Sequence, residues 1–146
     1  MEAEGKPEGA RWVVTVRTEE LRLFEACERA LAGAYAEYAR AAVGGARFLH
    51  VVDRHRRHAE RLAARIAQLG GDPRVEPDDL WIMGPTDELA TLVLAEHQAE
   101  RTYRDHLLDF DPESMMMVRD QILPEHERTL EELTGERYPS LGPLEH

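Results

Sequence analysis

The chain has 146 residues, and its 18 basic and 29 acidic side chains leave a formal net charge of −11, which suits one domain and argues against wrapping a nucleic-acid backbone. No apolar run approaches the roughly 20 residues that cross a bilayer, and the N-terminus lacks a signal-peptide pattern, so we expect a cytoplasmic protein without a membrane segment. The one cysteine, Cys27, excludes an internal disulfide and a cysteine cage for zinc.

The hydrophobic pattern predicts an all-α domain between two short ends. Residues 1–17 combine Gly, Pro and a β-branched run that has no partner run elsewhere, which predicts an extended N-terminal arm. Over residues 18–134, apolar positions recur in steps of three and four, as one face of a helix requires. Residues 135–146 are predicted to be a tail, and their final Leu-Glu-His resembles the remnant of a purification tag.

The first two helices are predicted to form a hairpin. Thr18, followed by two glutamates, has the pattern of an N-cap for helix 1, and Gly44 and Gly45 end that helix. Glycine, aspartate and proline from Gly70 on end helix 2. Residues 70–85 show no helical period and can extend about 50 Å, which is enough to run the length of a bundle. Helix 3 is therefore predicted to start at the same end of the bundle as helix 2.

The second pair of helices follows this connection. Residues 84–88 supply a new N-cap signal for helix 3. Helix 4 is predicted from about Glu113 to Leu133 with Met116 on its inner face, and Pro124 inside it predicts a kink or local unwinding. Two antiparallel hairpins joined by one long crossover describe this four-helix bundle better than a simple up-down-up-down arrangement.

An internal repeat singles out several polar positions. Shifting the sequence by 68 residues aligns the two halves without a gap. The aligned pairs include a glutamate, a tyrosine and a histidine of each half: Glu28 with Glu96, Tyr35 with Tyr103, and His58 with His126. Capping and core packing do not explain acids and histidines that recur on core stripes.

Two carboxylates and three imidazoles are predicted to converge inside the bundle. Burying an ionised carboxylate without a partner costs several kcal/mol, so such a group of acids needs compensation. The glutamate and the histidine of each hairpin lie at similar distances from its turn, so they reach similar depths. Fe, Mn and Zn accept this mixture of ligands. We therefore predict a transition-metal site made of Glu28, His55, His58, Glu96 and His126.

These positions resemble the ferritin-like superfamily, in particular the rubrerythrin and bacterioferritin branch of carboxylate-bridged diiron proteins. Its members place Glu on helices 1 and 3, Glu-x-x-His on helices 2 and 4, and often Tyr seven residues after the helix 1 Glu. Here Glu28 with Tyr35 and Glu96 with Tyr103 fit that pattern. The resemblance implies a ferritin-like four-helix bundle, bound iron, and oxidation of Fe(II) by O₂ or peroxide, with any electrons delivered by a separate redox partner protein.

The sequence also departs from the family pattern. His55 stands where the helix 2 Glu is expected, and Leu123 stands where the helix 4 Glu is expected, so both bridging carboxylates are missing. Glu100 and Glu125 are candidate substitutes. Glu100 falls on the inner stripe of helix 3, and a kink at Pro124 would turn Glu125 inward. The site is therefore expected to hold one or two ions in a variant arrangement.

Two other functions remain open at this point. The same groups would also serve as a buried hydrogen-bond network in a non-catalytic helical scaffold or stress-associated interaction protein, with a vestigial, metal-free site. Histidine-rich ligation would also suit a structural zinc. A homodimer is expected because the apolar residues Trp12, Val13, Val14 and Val16 lie outside the four helices.

Three remaining features have ordinary structural interpretations. The charged residues beside the helix 2 histidines, such as Arg54 and Arg57, are interpreted as a solvated face. Cys27 is interpreted as a small buried residue, and the methionine run at 115–117 as core or interface packing.

Overall fold

The structure is a computed structural model that describes the backbone of residues 8–73 and 87–137 and the side chains of residues 18–73 and 87–135. Within these ranges it is all-helical and contains no strand, which confirms the all-α class. There are four long helices. They are α1 (Glu8–Ala41), α2 (Leu49–Gln68), α3 (Leu89–Asp105) and α4, which joins an α-helical part (Pro112–Met117), a π-helical turn (Val118–Ile122) and a second α-helical part (Leu123–Arg137).

The turn between α1 and α2 lies where the two glycines predict it. Gly44 has a φ of 73°, a left-handed conformation that glycine adopts without steric cost. A Cβ on Gly45 would lie 2.2 Å from the carbonyl oxygen of Tyr38, so only glycine fits there without movement. At the opposite end, the α-carbon region of Gly71 packs against Thr18, so α1 and α2 form an antiparallel hairpin.

Ring and hydrogen-bond contacts fix the direction of α3. Phe24, near the start of the described side chains of α1, stacks on Tyr103 late in α3. Tyr35, later in α1, bonds to Glu96, earlier in α3. Since α2 and α3 are both antiparallel to α1, they are parallel to each other. The predicted crossover between them falls mainly on residues 74–86, which lie outside the described residues.

The last helix packs antiparallel to α2. Arg54, early in α2, bonds to Thr129 late in α4, whereas Arg65, late in α2, bonds to Ser114 early in α4. This arrangement is compatible with a four-helix bundle in which each half is one helical hairpin.

Two predicted boundaries are wrong. The N-terminal arm predicted over residues 1–17 is helical from Glu8 on, and Thr18 is a buried residue inside α1 instead of its N-cap. An existing helix grows by one hydrogen bond per added residue without a new nucleation cost, and β-branched residues weaken this growth only slightly. At the other end α4 continues to Arg137, three residues into the predicted tail.

The predicted unwinding near Pro124 takes the form of the π-helical turn Val118–Ile122, which directly precedes the α-helical part that contains Pro124. Pro124 has no N–H to donate to the preceding turn, and a π-turn accommodates an extra residue. The extra residue rotates the earlier part of α4 about its axis. Ser114 and Val118 are therefore fully buried, while Met116 is 50% exposed, contrary to its predicted inward position.

The core consists of two apolar clusters with a polar layer between them. One contains Leu31, Tyr38, Val52, Leu92 and Leu133 with Cys27, which is buried as predicted. The other contains Leu21, Phe24, Leu62, Ile66, Phe110, Val118 and Ile122. Among the described helices, none is both long and apolar enough to cross a membrane.

Candidate metal centre

The polar layer between the two apolar clusters contains all five residues predicted to form the site. Each helix contributes from its buried face, where the sequence places a polar residue within an apolar stripe. All five have 0% relative exposure: Glu28 on α1, His55 and His58 on α2, Glu96 on α3, and His126 on α4.

Glu28 lies at the centre of this layer and contacts every histidine of the cluster. Its Oε1 atom is 2.6 Å from Nδ1 of His55 and 3.1 Å from Nδ1 of His58. Its Oε2 atom is 2.6 Å from Nε2 of His126 and accepts a 2.7 Å hydrogen bond from the hydroxyl of Tyr103. One carboxylate thus faces one nitrogen of each of three imidazole rings.

Glu96 lies behind two of these rings. Its Oε1 atom accepts a 2.7 Å hydrogen bond from the hydroxyl of Tyr35 and is 3.1 Å from Nε2 of His55. Its Oε2 atom is 2.5 Å from Nδ1 of His126, yet neither of these two buried atoms has a hydrogen bond of acceptable geometry. Glu96 therefore faces the ring nitrogens that point away from Glu28.

His58 has a different carboxylate behind it. Its Nε2 atom is 2.7 Å from Oε1 of Glu125, the residue after Pro124. The side chain of Glu125 is 28% exposed, so the bond lies at the margin of the buried layer. The structure thus brings Glu125, a candidate substitute for the missing helix 4 carboxylate, against His58.

One group of four residues has the geometry to hold a metal ion. Glu28, His55, His58 and His126 each offer a ligand atom, and these atoms all lie within 4.8 Å of one another. Leu123, which stands at the position where the resemblance predicts a carboxylate on helix 4, is buried in an apolar cluster.

The two buried carboxylates are held ionised by the histidines. Burial alone would raise the pKa of Glu28, but His126, His58 and His55 lower it well below its usual range. Burial likewise opposes the charge on Glu96, and His55 and His126 lower its pKa too. Both acids therefore carry a negative charge at neutral pH.

The imidazoles respond in the opposite direction. Burial favours the neutral ring of His126, but Glu28 and Glu96 raise its pKa from 6.5 to about 10. The same two carboxylates outweigh burial at His55 and raise its pKa as well. In the absence of a cation, the raised proton affinity of His55 and His126 offsets the charge of the two buried carboxylates.

The two tyrosines bond to the carboxylates across the halves of the chain. Tyr35 of α1 donates to Glu96 of α3, and Tyr103 of α3 donates to Glu28 of α1. Burial, followed by the charge of the bonded carboxylate, raises the pKa of each phenol well above its usual range. Both hydroxyls therefore stay protonated and act as donors.

Glu100, the other candidate substitute, lies outside the cluster. Its side chain is 18% exposed and forms a 2.8 Å ion pair with Arg104. The prediction placed Glu100 on the inner stripe of helix 3, but the deepest positions of α3 are Leu92, Glu96, Ala99 and Tyr103. Glu100 lies at the edge of that face, where its charge is more easily solvated.

Arg54 was assigned by sequence reasoning to a solvated face, and the structure corrects this. It is 6% exposed, and its guanidinium donates to Thr129 at 2.7 Å and to Glu132 at 3.2 Å. The Thr129 hydroxyl in turn donates to the backbone carbonyl of Glu125. The acids of α4 at a seven-residue interval, Glu125 and Glu132, are the sequence signal that could have indicated a partner for α2.

Comparison of the chain with protein-family models, with curated proteins and with solved structures finds no match. Membership of the ferritin-like superfamily accordingly stays a prediction that rests on the residues quoted above. Any assignment of function rests on the chemistry of the buried cluster.

Proposed function

We propose that this protein binds one transition-metal ion between Glu28, His55, His58 and His126. The observation that carries the proposal is the convergence of one carboxylate oxygen and three imidazole nitrogens in a layer with no solvent exposure. A carboxylate with three histidines suits iron, manganese or zinc. Glu96, predicted as a ligand, is here assigned a supporting position behind two of the histidines.

The orientation of the rings supports this proposal. Histidines that bind a metal through one ring nitrogen usually donate the other N–H to a carboxylate or carbonyl, which fixes the tautomer and the ring plane. All three imidazoles have a carboxylate on the side away from Glu28. Glu96 contacts His55 and His126 there, and Glu125 contacts His58.

Charge balance gives a second line of support. Two ionised carboxylates, Glu28 and Glu96, are fully buried, and a divalent cation with three neutral imidazoles would neutralise them. The ion would then replace the positive charge that protonated His126 otherwise contributes. A small rotation of His126 would also allow its Nδ1–H to donate to Oε2 of Glu96, two atoms that have no acceptable hydrogen bond without it.

Iron is the proposed metal, and this choice depends on the resemblance to the ferritin-like superfamily. The parallel α2 and α3 helices agree with that architecture. A bound iron ion would supply oxidation of Fe(II) to Fe(III), with O₂ or peroxide as the electron acceptor, and a separate redox partner would supply the electrons that return it to Fe(II). We place this activity in the cytoplasm and propose that the protein is a homodimer. The α1 helix has 34 residues and α2 only 20, so part of α1 extends beyond α2 and could contact a second copy.

A metal-free network is the second candidate function. Its supporting observation is that protons alone already give each buried carboxylate several partners within 3.1 Å. In that case the protein would be a non-catalytic scaffold with a vestigial site. The two candidates differ in what the substitution of Glu28 removes.

The test is metal content together with anaerobic Fe(II) titration of protein purified without chelator. We expect one tightly held equivalent in the wild type, an absorbance change on exposure to air, and loss of that equivalent in Glu28→Gln. Glu37→Gln is the matched control, because Glu37 is an exposed acid on the same helix. Absence of any equivalent that depends on Glu28, under all loading conditions, would instead establish the metal-free network.

A further inference from the structure

A second group of metal-ligating side chains lies on the surface, apart from the buried cluster. Glu20 belongs to α1, His106 closes α3, and Asp109 ends the short 3₁₀ turn Leu107–Asp109 that follows. One ligand atom from each of the three lies within 4.8 Å of the others. The sequence pattern predicts no metal site at any of these three residues.

Two carboxylates lie against one ring nitrogen of His106. Its Nδ1 atom is 2.5 Å from Oε2 of Glu20 and 3.0 Å from Oδ2 of Asp109. One ring nitrogen carries at most one proton, so it can donate to only one of these two carboxylates at a time. Even with a protonated ring, the three groups keep a net negative charge, which a bound cation would offset.

The backbone and the core hold this group in place. The N–H of His106 donates to the carbonyl of Thr102 at 3.1 Å, and the N–H of Asp109 donates to the carbonyl of His106 at 2.9 Å. The imidazole ring lies edge-on to Phe24, with ring centroids 6.1 Å apart, and Phe24 is fully buried. The imidazole ring is therefore packed on one side against a side chain of the core.

We propose that Glu20, His106 and Asp109 form a second site, which binds a divalent transition-metal cation at the protein surface. The side chains of these residues are 23%, 38% and 60% exposed, which leaves room for water to complete the coordination. The ligand atoms of a tetrahedral zinc ion lie about 3.3 Å from one another, so the two carboxylate oxygens need to move only slightly away from Nδ1 of His106. One imidazole and two carboxylates with an open position are a ligand set that Zn²⁺ accepts.

This site is independent of the proposed function of the buried cluster. It shares no residue with that cluster, and its ligands come from the end of the bundle where α3 meets the N-terminal half of α1. The proposal concerns binding of a cation and includes no reaction.

The test is Zn²⁺ binding to the full chain, measured by competition with a chromophoric chelator. The variants are His106→Ala, Asp109→Asn and Glu28→Gln. His97→Ala is the matched control, because His97 is an exposed histidine of the same helix. Asp109→Asn changes an exposed side chain and keeps a hydrogen-bond acceptor, so it tests the charge without a large effect on folding.

We expect two equivalents of Zn²⁺ in the wild type and in His97→Ala. The dissociation constant of one equivalent should rise at least about tenfold in His106→Ala and in Asp109→Asn, while Glu28→Gln removes the other equivalent. A single equivalent that only His106→Ala removes would still support the surface site and would contradict the buried one. A single equivalent that only Glu28→Gln removes, or equal losses in His97→Ala and His106→Ala, would overturn the proposal.

Discussion

The two hairpins share one sequence plan, yet they contribute differently to the centre. Glu28 of the first half faces one nitrogen of each of three histidines, whereas the equivalent Glu96 of the second half faces the outer nitrogens of two. The asymmetry follows from His55, which has no equivalent histidine in the second half because Leu123 occupies the aligned position. A two-fold repeat has thereby become a site suited to one ion.

The tyrosines show how the two halves are joined. Tyr35 and Tyr103 occupy equivalent positions, and each donates to the glutamate of the other half. Each glutamate therefore receives its tyrosine hydrogen bond from the other hairpin, and the polar layer is complete only when both hairpins pack together. This reciprocity is a reason for the layer to specify one pairing of the halves.

Exchange of the two glutamates for glutamine is expected to give the largest difference between the halves. In Glu28→Gln a direct ligand is lost, so we expect no retained metal. In Glu96→Gln only a supporting carboxylate is lost, and we expect metal affinity to fall about 10–100-fold with the ion still bound at saturation. Chelator competition measures both, and equal losses in the two variants would show that Glu96 is itself a ligand.

The pH dependence of stability should distinguish the metal-free from the metal-bound centre. The pKa values of Glu28 and Glu96 are lowered from 4.5, so their stabilisation is present above that value and is lost as the pH falls. The pKa of His126 is raised from 6.5 to about 10, so its contribution is complete below pH 6.5 and is lost as the pH rises towards 10. Metal-free protein should be most stable between about pH 4.5 and 6.5.

Denaturant unfolding across this range is the measurement. With the metal bound the histidines need no proton, so the alkaline loss of stability should be reduced. A metal-free protein with equal stability at pH 6 and pH 9.5 would contradict the assigned charges.

The tyrosine pair offers a smaller and more selective effect. Removing a buried hydroxyl that donates to a carboxylate should cost about 1.5–3 kcal/mol of unfolding free energy, in Tyr35→Phe and in Tyr103→Phe alike. Metal affinity should respond more to Tyr103→Phe, because Tyr103 bonds to Glu28, the carboxylate that we propose as a ligand. Chemical denaturation and metal titration of both variants check this, and a larger affinity loss in Tyr35→Phe would reverse the assigned roles of the two halves.

The sequence was sufficient to predict which residues converge, because a polar residue flanked by apolar residues on one helical stripe faces the core together with them. It was not sufficient to rank Glu96 and Glu100, which lie one turn apart on one stripe and differ only in how the neighbouring helices cover them. The assignment of ring nitrogens to Glu28 or Glu96 depends on rotamers and helix rotation, which periodicity does not contain. The burial of Arg54 depends on its partners on another helix, Thr129 and Glu132.

The extent of α1 could not be predicted for a different reason. Local propensity favoured an extended arm before Thr18, but a helix that is already formed extends through residues of modest propensity. The π-turn of α4 was foreseeable only as a disturbance near Pro124. The sequence does not contain the change of inward face that follows from this turn and that leaves Met116 exposed.

The smallest expected effects concern the seam between α2 and α4, where the two halves meet. Arg54 is buried and bonds to Thr129, whereas Arg61 bonds to Gln121 at an exposed position. Arg54→Ala should cost about 1–2 kcal/mol, since Thr129 loses a donor and Glu132 keeps access to water. Arg61→Ala should cost less than about 0.5 kcal/mol, because exposed polar contacts compete with solvent. Equal values in urea denaturation would mean that burial of Arg54 adds nothing to the pairing of the two hairpins.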